Sequence, residues 1–357
     1  MSSPRVAVLG LLLVLTGCAT TEVGVGPAAT TSTLPSSTSS SPTTTTSTTT
    51  STTTTTSTTT TTTTTVPALV PELVLDEQGV PANGQTSGVL VTDTGWITPI
   101  LSGLEDGRHR VWTPCARQAD IGGGQVIGAA DFVLDPGHGG SEPGAVGQAG
   151  LREADLNLAV GLKIRDLLVG AGYSVVMTRQ TDIRVPIATR AEIARALDPL
   201  AFISIHFNAG TDAPSATPGT EMYHQIDNPD SKRLAGLIYE ETVDVLRRYD
   251  VDWVALSDAG AMVRPNESGD DYYGVLRRPG PVPSILTEYA YLSNPAEEAL
   301  VSDPEVQQEL AEATFAAIER FVTTDDPGSG FVEDPIFRGF GPSGAGRTDN
   351  CTDPRLE

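Results

Sequence analysis

From residue 131 onward, short apolar runs alternate with longer segments whose apolar residues recur every three or four positions. The first pattern builds strands buried on both faces, and the second builds helices that cover them. Phe132-Val133-Leu134 predicts a strand running into a glycine-rich loop. Residues 153–169 predict a helix with Leu156, Val160, Ile164, Leu167 and Leu168 on its buried side, stopped by Gly170 and Gly172. Further strands are expected at 174–177, 202–205, 219–223 and 284–288, and further helices near 187–197, 230–248 and 304–322. This alternation points to a three-layer α/β domain with a central, largely parallel mixed sheet flanked by helices.

Four polar residues sit where such a fold gathers active-site groups, at the ends of buried strands or the start of a helix. His138 follows the strand 132–134 in the stretch DPGHGG, and His206 follows Phe202-Ile203-Ser204-Ile205. Glu288 follows Ile285-Leu286-Thr287, and Glu153 opens the helix 153–169. Two imidazoles and one carboxylate (His138, His206 and Glu153) match a catalytic zinc site, one ion per chain, that keeps a fourth position open for water. Glu288 is then a second carboxylate available to carry a proton. Singly, each residue has a plainer account: a loop histidine, a helix-dipole carboxylate, a satisfied core histidine, and a salt bridge from Glu288 to Arg179 or Arg277. Asp135 could orient a ligand from behind, and Asn157 shares a helix face with Glu153. Asn208 shares a strand face with Ser204 and His206. His224, after the strand 219–223, could line a groove.

The first 66 residues are not domain material. A lone Arg5 precedes an apolar run from Val6 to Leu15, too short to span a bilayer but suited to an export signal. The run ends in Leu15-Thr16-Gly17-Cys18, which resembles a bacterial lipobox with Cys18 as the lipidated residue, so residues 1–18 are expected to be a signal peptide. Residues 19–66, dominated by Thr and Ser, cannot bury enough apolar surface to fold and should form a disordered linker. The chain as a whole carries a net charge of −23 from 45 acidic and 22 basic residues, and the first 66 hold only Arg5 and Glu22. The body is therefore strongly acidic, which argues against nucleic acid and against adsorption to anionic lipid, leaving a lipid anchor as the only membrane contact. An acidic surface on a tether is compatible with a monomer. With Cys18 assigned to the anchor, Cys115 and Cys351 form an even pair, and an exported protein favours a disulfide between them. Residues 67–130, with Val89-Leu90-Val91, Trp96-Ile97, Ile100-Leu101 and Arg110-Val111-Trp112 among Gly, Pro, Asp and Asn, predict a small β-rich extension. Residues 323–357 predict an irregular C-terminal tail.

Five stretches, in order, carry a family resemblance: LDPGHGG (134–140), GLREADLNLAV (150–160), VVMTR (175–179), SIHFNA (204–209) and ILTEYAYLSNP (285–295). With them, residues 131–322 resemble the zinc-dependent N-acetylmuramoyl-L-alanine amidases, the amidase type 3 family. The resemblance implies zinc ligands at His138, Glu153 and His206 and a catalytic glutamate at Glu288. It also implies a peptidoglycan or muropeptide substrate, cut at the amide between the lactyl group of N-acetylmuramic acid and L-alanine. An exported, envelope-anchored location follows. Tyr289-Ala290 stand where the family usually has Gly and Phe, a departure that bears on substrate contacts rather than on the proton carrier. Two alternatives remain: another zinc-dependent cell-wall peptidase or deacetylase, and a non-catalytic wall-binding lipoprotein. No HExxH segment places two ligands on one helix, and no GxSxG elbow offers a serine nucleophile.

Overall fold

The computed structural model describes residues 73–75, 81–82, 84–210, 214–215, 219–251, 253–254, 259–332 and 352–357. The expected signal segment with Cys18, the linker 19–66 and Cys351 lie outside the described residues. Among the described residues no helix is long and apolar enough to cross a membrane.

Five short strands form the first sheet: β1 (Val89–Val91), β2 (Ile97–Gly103), β3 (His109–Trp112), β4 (Gln118–Ile121) and β5 (Gln125–Ile127). They pair antiparallel throughout in the order β4-β3-β2-β1-β5. The chain then alternates through β6 (Phe132–Pro136), α1 (Glu153–Gly170), β7 (Val175–Met177), α2 (Ile187–Leu197) and β8 (Ala201–Asn208). It continues through β9 (Pro214–Ser215), β10 (Glu221–His224), α3 (Pro229–Leu246), β11 (Trp253–Val254) and β12 (Gly260–Met262). Last come α4 (Gly274–Arg277), β13 (Ser284–Tyr291), α5 (Pro295–Val301) and α6 (Pro304–Thr323). The central sheet has the order β12-β10-β13-β8-β6-β7, while β9 and β11 pair with each other. β13, β8, β6 and β7 run parallel, and β10 is inserted antiparallel to β13.

Helix starts carry their own signals. Asn228, Asn294 and Asp303 each accept backbone N–H bonds at the starts of α3, α5 and α6, and each is followed by a proline at the first helical position. α1 is different: Arg152 at its start makes no side-chain cap, and Glu153 is turned to another use.

Strand alternation divides the sheet into two faces. One face carries Phe132, Leu134, Ile203, Ile205, Phe207, Met222, Ile285 and Tyr289, packed with α1, α3 and α6. The other carries Val133, Val176, Phe202, Tyr223, Met262 and Leu286, and packs with α2, α4 and the first sheet through Val89 and Ile97. Gly88 donates to the Ala196 carbonyl at 2.8 Å and Thr189 to that of Pro114 at 3.2 Å, joining the small sheet to α2.

The expected irregular tail is irregular where described, but it is packed. Phe331 bridges to Ala261 in β12. Leu356 is buried among Leu90, Ile100, Val111 and Ile121 of the first sheet. Asp353 accepts from the Cys115 N–H at 2.8 Å and the Thr113 hydroxyl at 2.9 Å.

Candidate active site

The side chains of Asp135, Ser204, His206, Asn208 and Glu288 extend from one face of the central sheet, as strand alternation requires. His206 of β8 is paired in register with Glu288 of β13. Both line a cavity of about 720 Å³ together with His138 and Glu153. Glu153 reaches it from the first turn of α1, and His138 from the loop after β6.

Around Glu153 the geometry is tight. Its Oε1 lies 2.8 Å from His206 Nδ1 and its Oε2 lies 3.2 Å from His138 Nε2. One ligand atom from each of the three residues falls within 4.8 Å of the others, so the trio could hold a metal ion. The two imidazoles meet edge to face, with centroids 5.0 Å apart. The Glu153 carboxylate also accepts from Ala145 N–H at 2.8 Å and Phe207 N–H at 3.3 Å, and Asn157 Nδ2 lies 3.4 Å away. Burial pulls the Glu153 carboxyl upward, yet the hydrogen bonds and charges of His138 and His206 hold it well below the usual carboxylate range. Burial pushes His206 down, favouring the neutral imidazole that ligates metals.

Two glycines make the convergence possible. A Cβ on Gly137 would lie 2.1 Å from the His206 ring, and one on Gly144 would lie 2.4 Å from Glu153 Oε2. His138 itself adopts φ +59°, a left-handed conformation that non-glycine residues seldom take and that needs support from its surroundings.

That support comes from two buried arginines. Arg179 donates to the carbonyls of Pro136 and Gly137 at 2.8 Å, of Ala154 at 2.7 Å and of Thr181 at 3.1 Å. Burial, with Arg190 nearby, brings its pKa down to about 10. Arg190 donates to Asp135 at 2.6 Å and to the Pro136, His138 and Val185 carbonyls at 2.7–2.8 Å. Asp135 also accepts from the hydroxyls of Thr178 and Ser204, so it steadies the His138 turn through Arg190. Asn157, fully buried, bonds to the Gly137 carbonyl at 3.2 Å and thus links that loop to α1. Asn208 lines the cavity and donates to Glu221 at 2.8 Å.

Arg179 and Arg277, the salt-bridge partners considered for Glu288, are engaged elsewhere: Arg277 donates to the Asp271 and Tyr272 carbonyls. The expectation for His224 is corrected. It is buried, bonded through Nδ1 to the Gln225 carbonyl at 2.8 Å, and is not among the cavity-lining residues. It alternates with Tyr223 along β10, and Tyr223 is the one on the cavity's face. The departure at Tyr289-Ala290 is likewise corrected: both pack in the core beneath the site, with Tyr289 against Phe207, so it alters packing rather than cavity lining.

Arg190 and Glu221 were not foreseen. Arg190 had a signal, a cation on the apolar side of the predicted helix 187–197. Glu221 lies in register with Glu288 on the neighbouring strand and accepts from Tyr291 at 2.6 Å and Tyr223 at 2.9 Å. Cys115 is disulfide-bonded.

An α/β domain with two imidazoles and two carboxylates gathered beside parallel strands, three of them able to grip one ion, belongs to the class of α/β proteins with a metal-binding type of active-site pocket. The chain belongs to the N-acetylmuramoyl-L-alanine amidase family, whose family model matches residues 132–320. It is 31% identical over 223 residues to the N-acetylmuramoyl-L-alanine amidase AmiC of Neisseria meningitidis, a match covering 54% of this chain and 53% of that protein. It thus spans about half the length of that relative. It is 30% identical over 208 residues to the germination-specific N-acetylmuramoyl-L-alanine amidase of Bacillus subtilis, covering 54% of this chain and 79% of that one. A solved N-acetylmuramoyl-L-alanine amidase from Clostridium difficile is 27% identical, with a TM-score of 0.47, over 55% of this chain and 98% of that one.

Proposed function

We propose that this protein is a peptidoglycan hydrolase that cleaves the amide between N-acetylmuramic acid and L-alanine of the stem peptide, using zinc-activated water and Glu288 as general acid/base. The observation that carries this is the convergence of His138, Glu153 and His206 within 4.8 Å in the cavity that Glu288 also lines. Family membership supplies the substrate class.

The donor set suits zinc: two imidazoles and a carboxylate are the ligands of open, catalytic zinc sites. The glycine cradle at Gly137 and Gly144 keeps the space between them clear of side chains. Zinc, when bound, supplies a Lewis acid that acidifies a water and polarises the scissile carbonyl. The chain's residues do the rest. Asn157 and the two arginines orient the ligands, and the glycine-rich loop brings backbone close to the substrate. Glu288 takes a proton from the water that attacks the lactyl carbonyl carbon. It returns that proton to the alanine nitrogen as the C–N bond breaks, leaving a lactyl carboxylate and a free amine.

On this reading the domains are a signal peptide (1–18) with Cys18 lipidated, a solvated linker (19–66), a β-rich extension (67–130), the catalytic domain (131–322) and a tail (323–357). The chain is exported and held at the envelope by its lipid, and it acts as a monomer on wall polymer within reach of the linker. Cys115 pairs with Cys351, which the contact of Asp353 with the Cys115 backbone supports.

Product mass spectrometry on a defined muramyl-peptide, with metal analysis of the same sample, tests the reading. The expected products are an intact stem peptide with a free L-alanine amine and an unsubstituted muramyl group, released in a chelator-sensitive way. Cleavage within the peptide, or loss of an acetyl group, would overturn it.

A further inference from the structure

A second cavity, of about 440 Å³, neighbours the first, and Ser141 and Arg184 line both. Its lining includes Trp96, just before β2, and Pro114, just after β3, with Thr352 and Pro354 of the closing segment. These four residues lie outside the stretch 132–320 matched by the family. The compartment thus joins residues of the matched stretch, such as Ser141 and Arg184, to residues from beyond it.

The wall is firmly held. The Thr94 hydroxyl donates to the Arg355 carbonyl at 2.9 Å, and the Trp96 N–H donates to the Thr92 hydroxyl at 3.1 Å. Asp353 bonds both Thr113 and Cys115, and Leu356 anchors the segment in the small sheet's core. Such a surface is present before any ligand arrives, which lowers the cost of binding.

Its chemistry selects among parts of the substrate. The lining offers an indole, prolines 114, 186 and 354, hydroxyls of Ser141 and Thr352, and one cation, Arg184. Arg184 Nε already donates to Glu142 at 2.8 Å. A stem peptide presents carboxylates and amines, whose recognition wants charged partners that are not already engaged. A neutral N-acetylated sugar presents C–H faces that lie on an indole, with hydroxyls and an acetamide for small polar groups.

We propose that this compartment is a glycan subsite, in which Trp96 holds a sugar of the strand beside the muramyl residue whose amide faces Glu288. The proposal rests on the amidase reading above and deepens it. It makes the enzyme a reader of polymeric glycan, rather than of the isolated muramyl-peptide.

The test compares the full chain with Trp96→Ala and with Thr352→Trp, which fills the cavity while leaving Trp96 and its packing in place. The substrates are a muramyl-peptide with a single sugar and the same peptide on a chain of several disaccharides. In both variants kcat/KM on the long glycan should fall roughly tenfold, through KM, while the single-sugar substrate is cleaved as before. Equal losses on both substrates, or no loss on the long one, would overturn the subsite. A loss that follows peptide length rather than glycan length would assign the compartment to the stem and overturn it too. A second measurement separates the two readings: titration of the wild-type chain with an N-acetylglucosamine tetramer, followed by tryptophan fluorescence. Binding that either variant weakens about tenfold supports the subsite even if no amide is cleaved, in which case the amidase reading alone fails. No binding to the wild type overturns the subsite whatever the activity shows.

Discussion

Glu288 and His206 are register partners on adjacent parallel strands, so the proposed proton carrier and a candidate ligand stand side by side from the same face of the sheet. Neighbouring strands lie about 4.8 Å apart, and that spacing sets the distance between the two side chains' roots. The separation is set by backbone hydrogen bonds rather than by flexible loops, which is how a site gains precision. A carboxylate placed this way can serve chemistry at the cluster without belonging to it.

That separation of roles gives the first prediction. Glu288→Ala should lower amide cleavage by about 10²–10⁴-fold, the usual worth of a positioned acid/base. Zinc content should stay at one per chain. Metal analysis and product release from the same preparation check both halves, and near-normal turnover would exclude Glu288 as the proton carrier.

Glu153 should behave in the opposite way. Glu153→Ala removes a proposed ligand and the hydrogen-bond acceptor for both imidazoles, so metal and activity should be lost together. Asn157→Leu leaves the three proposed ligands in place but takes one donor from the Gly137 carbonyl and one from the Glu153 carboxylate. A loss of about 10–100-fold in metal affinity is expected, as for other supports of ligating groups. Competition with a chromogenic chelator measures it, and unchanged affinity would reduce Asn157 to packing.

Arg190→Met should destabilise the fold. The Arg190–Asp135 pair is buried, and removing the cation leaves an uncompensated carboxylate, at a cost of about 3–5 kcal/mol. Denaturant unfolding reads the loss. Adding Asp135→Asn to Arg190→Met should recover part of it, because the charge left behind is then gone.

Asp271 gives a pH signature away from the site. Burial is the main cause raising its pKa from 3.8 to about 6, with Asp227 and Asp270 adding to it against the Ile226 N–H and Arg277. The folded state thus holds this proton more tightly than the unfolded chain does. Its contribution favours folding at low pH, fades as pH rises from about 4 to about 6, and is gone above that. In Asp271→Asn the melting temperature should lose this component of its fall across the window. Superimposable profiles for the two proteins would refute the assignment.

Much of the fold was legible because local pattern and tertiary environment agree. Helix α2 occupies the expected 187–197, and α6 extends the expected helix 304–322 by one residue, since apolar spacing and a proline start define both. β8 and β13 run several residues beyond the expected 202–205 and 284–288. Past the expected end of β8, His206 and Asn208 continue the alternation that sets them on the face of Ser204, and pairing with β13 keeps that stretch in the sheet. The insertion of β10 antiparallel between β13 and β12 had no signal, because strand order depends on contacts distant in sequence. His224 was misplaced for a related reason: one step along a strand reverses the face.

That His138, Glu153 and His206 could share an ion, with Glu288 near them, was legible in the chain, because His138, His206 and Glu288 each follow a short apolar run and Glu153 opens an amphipathic helix. So was the alternation that fixes the layers. Only the tertiary structure could show that Arg179 and Arg190 brace the His138 turn, or that Trp96 and Thr352 wall a second compartment. Those relationships join residues 42 to 256 positions apart, and no local pattern encodes them. Periodicity records which side of an element is buried, whereas a cavity is defined by which sides meet.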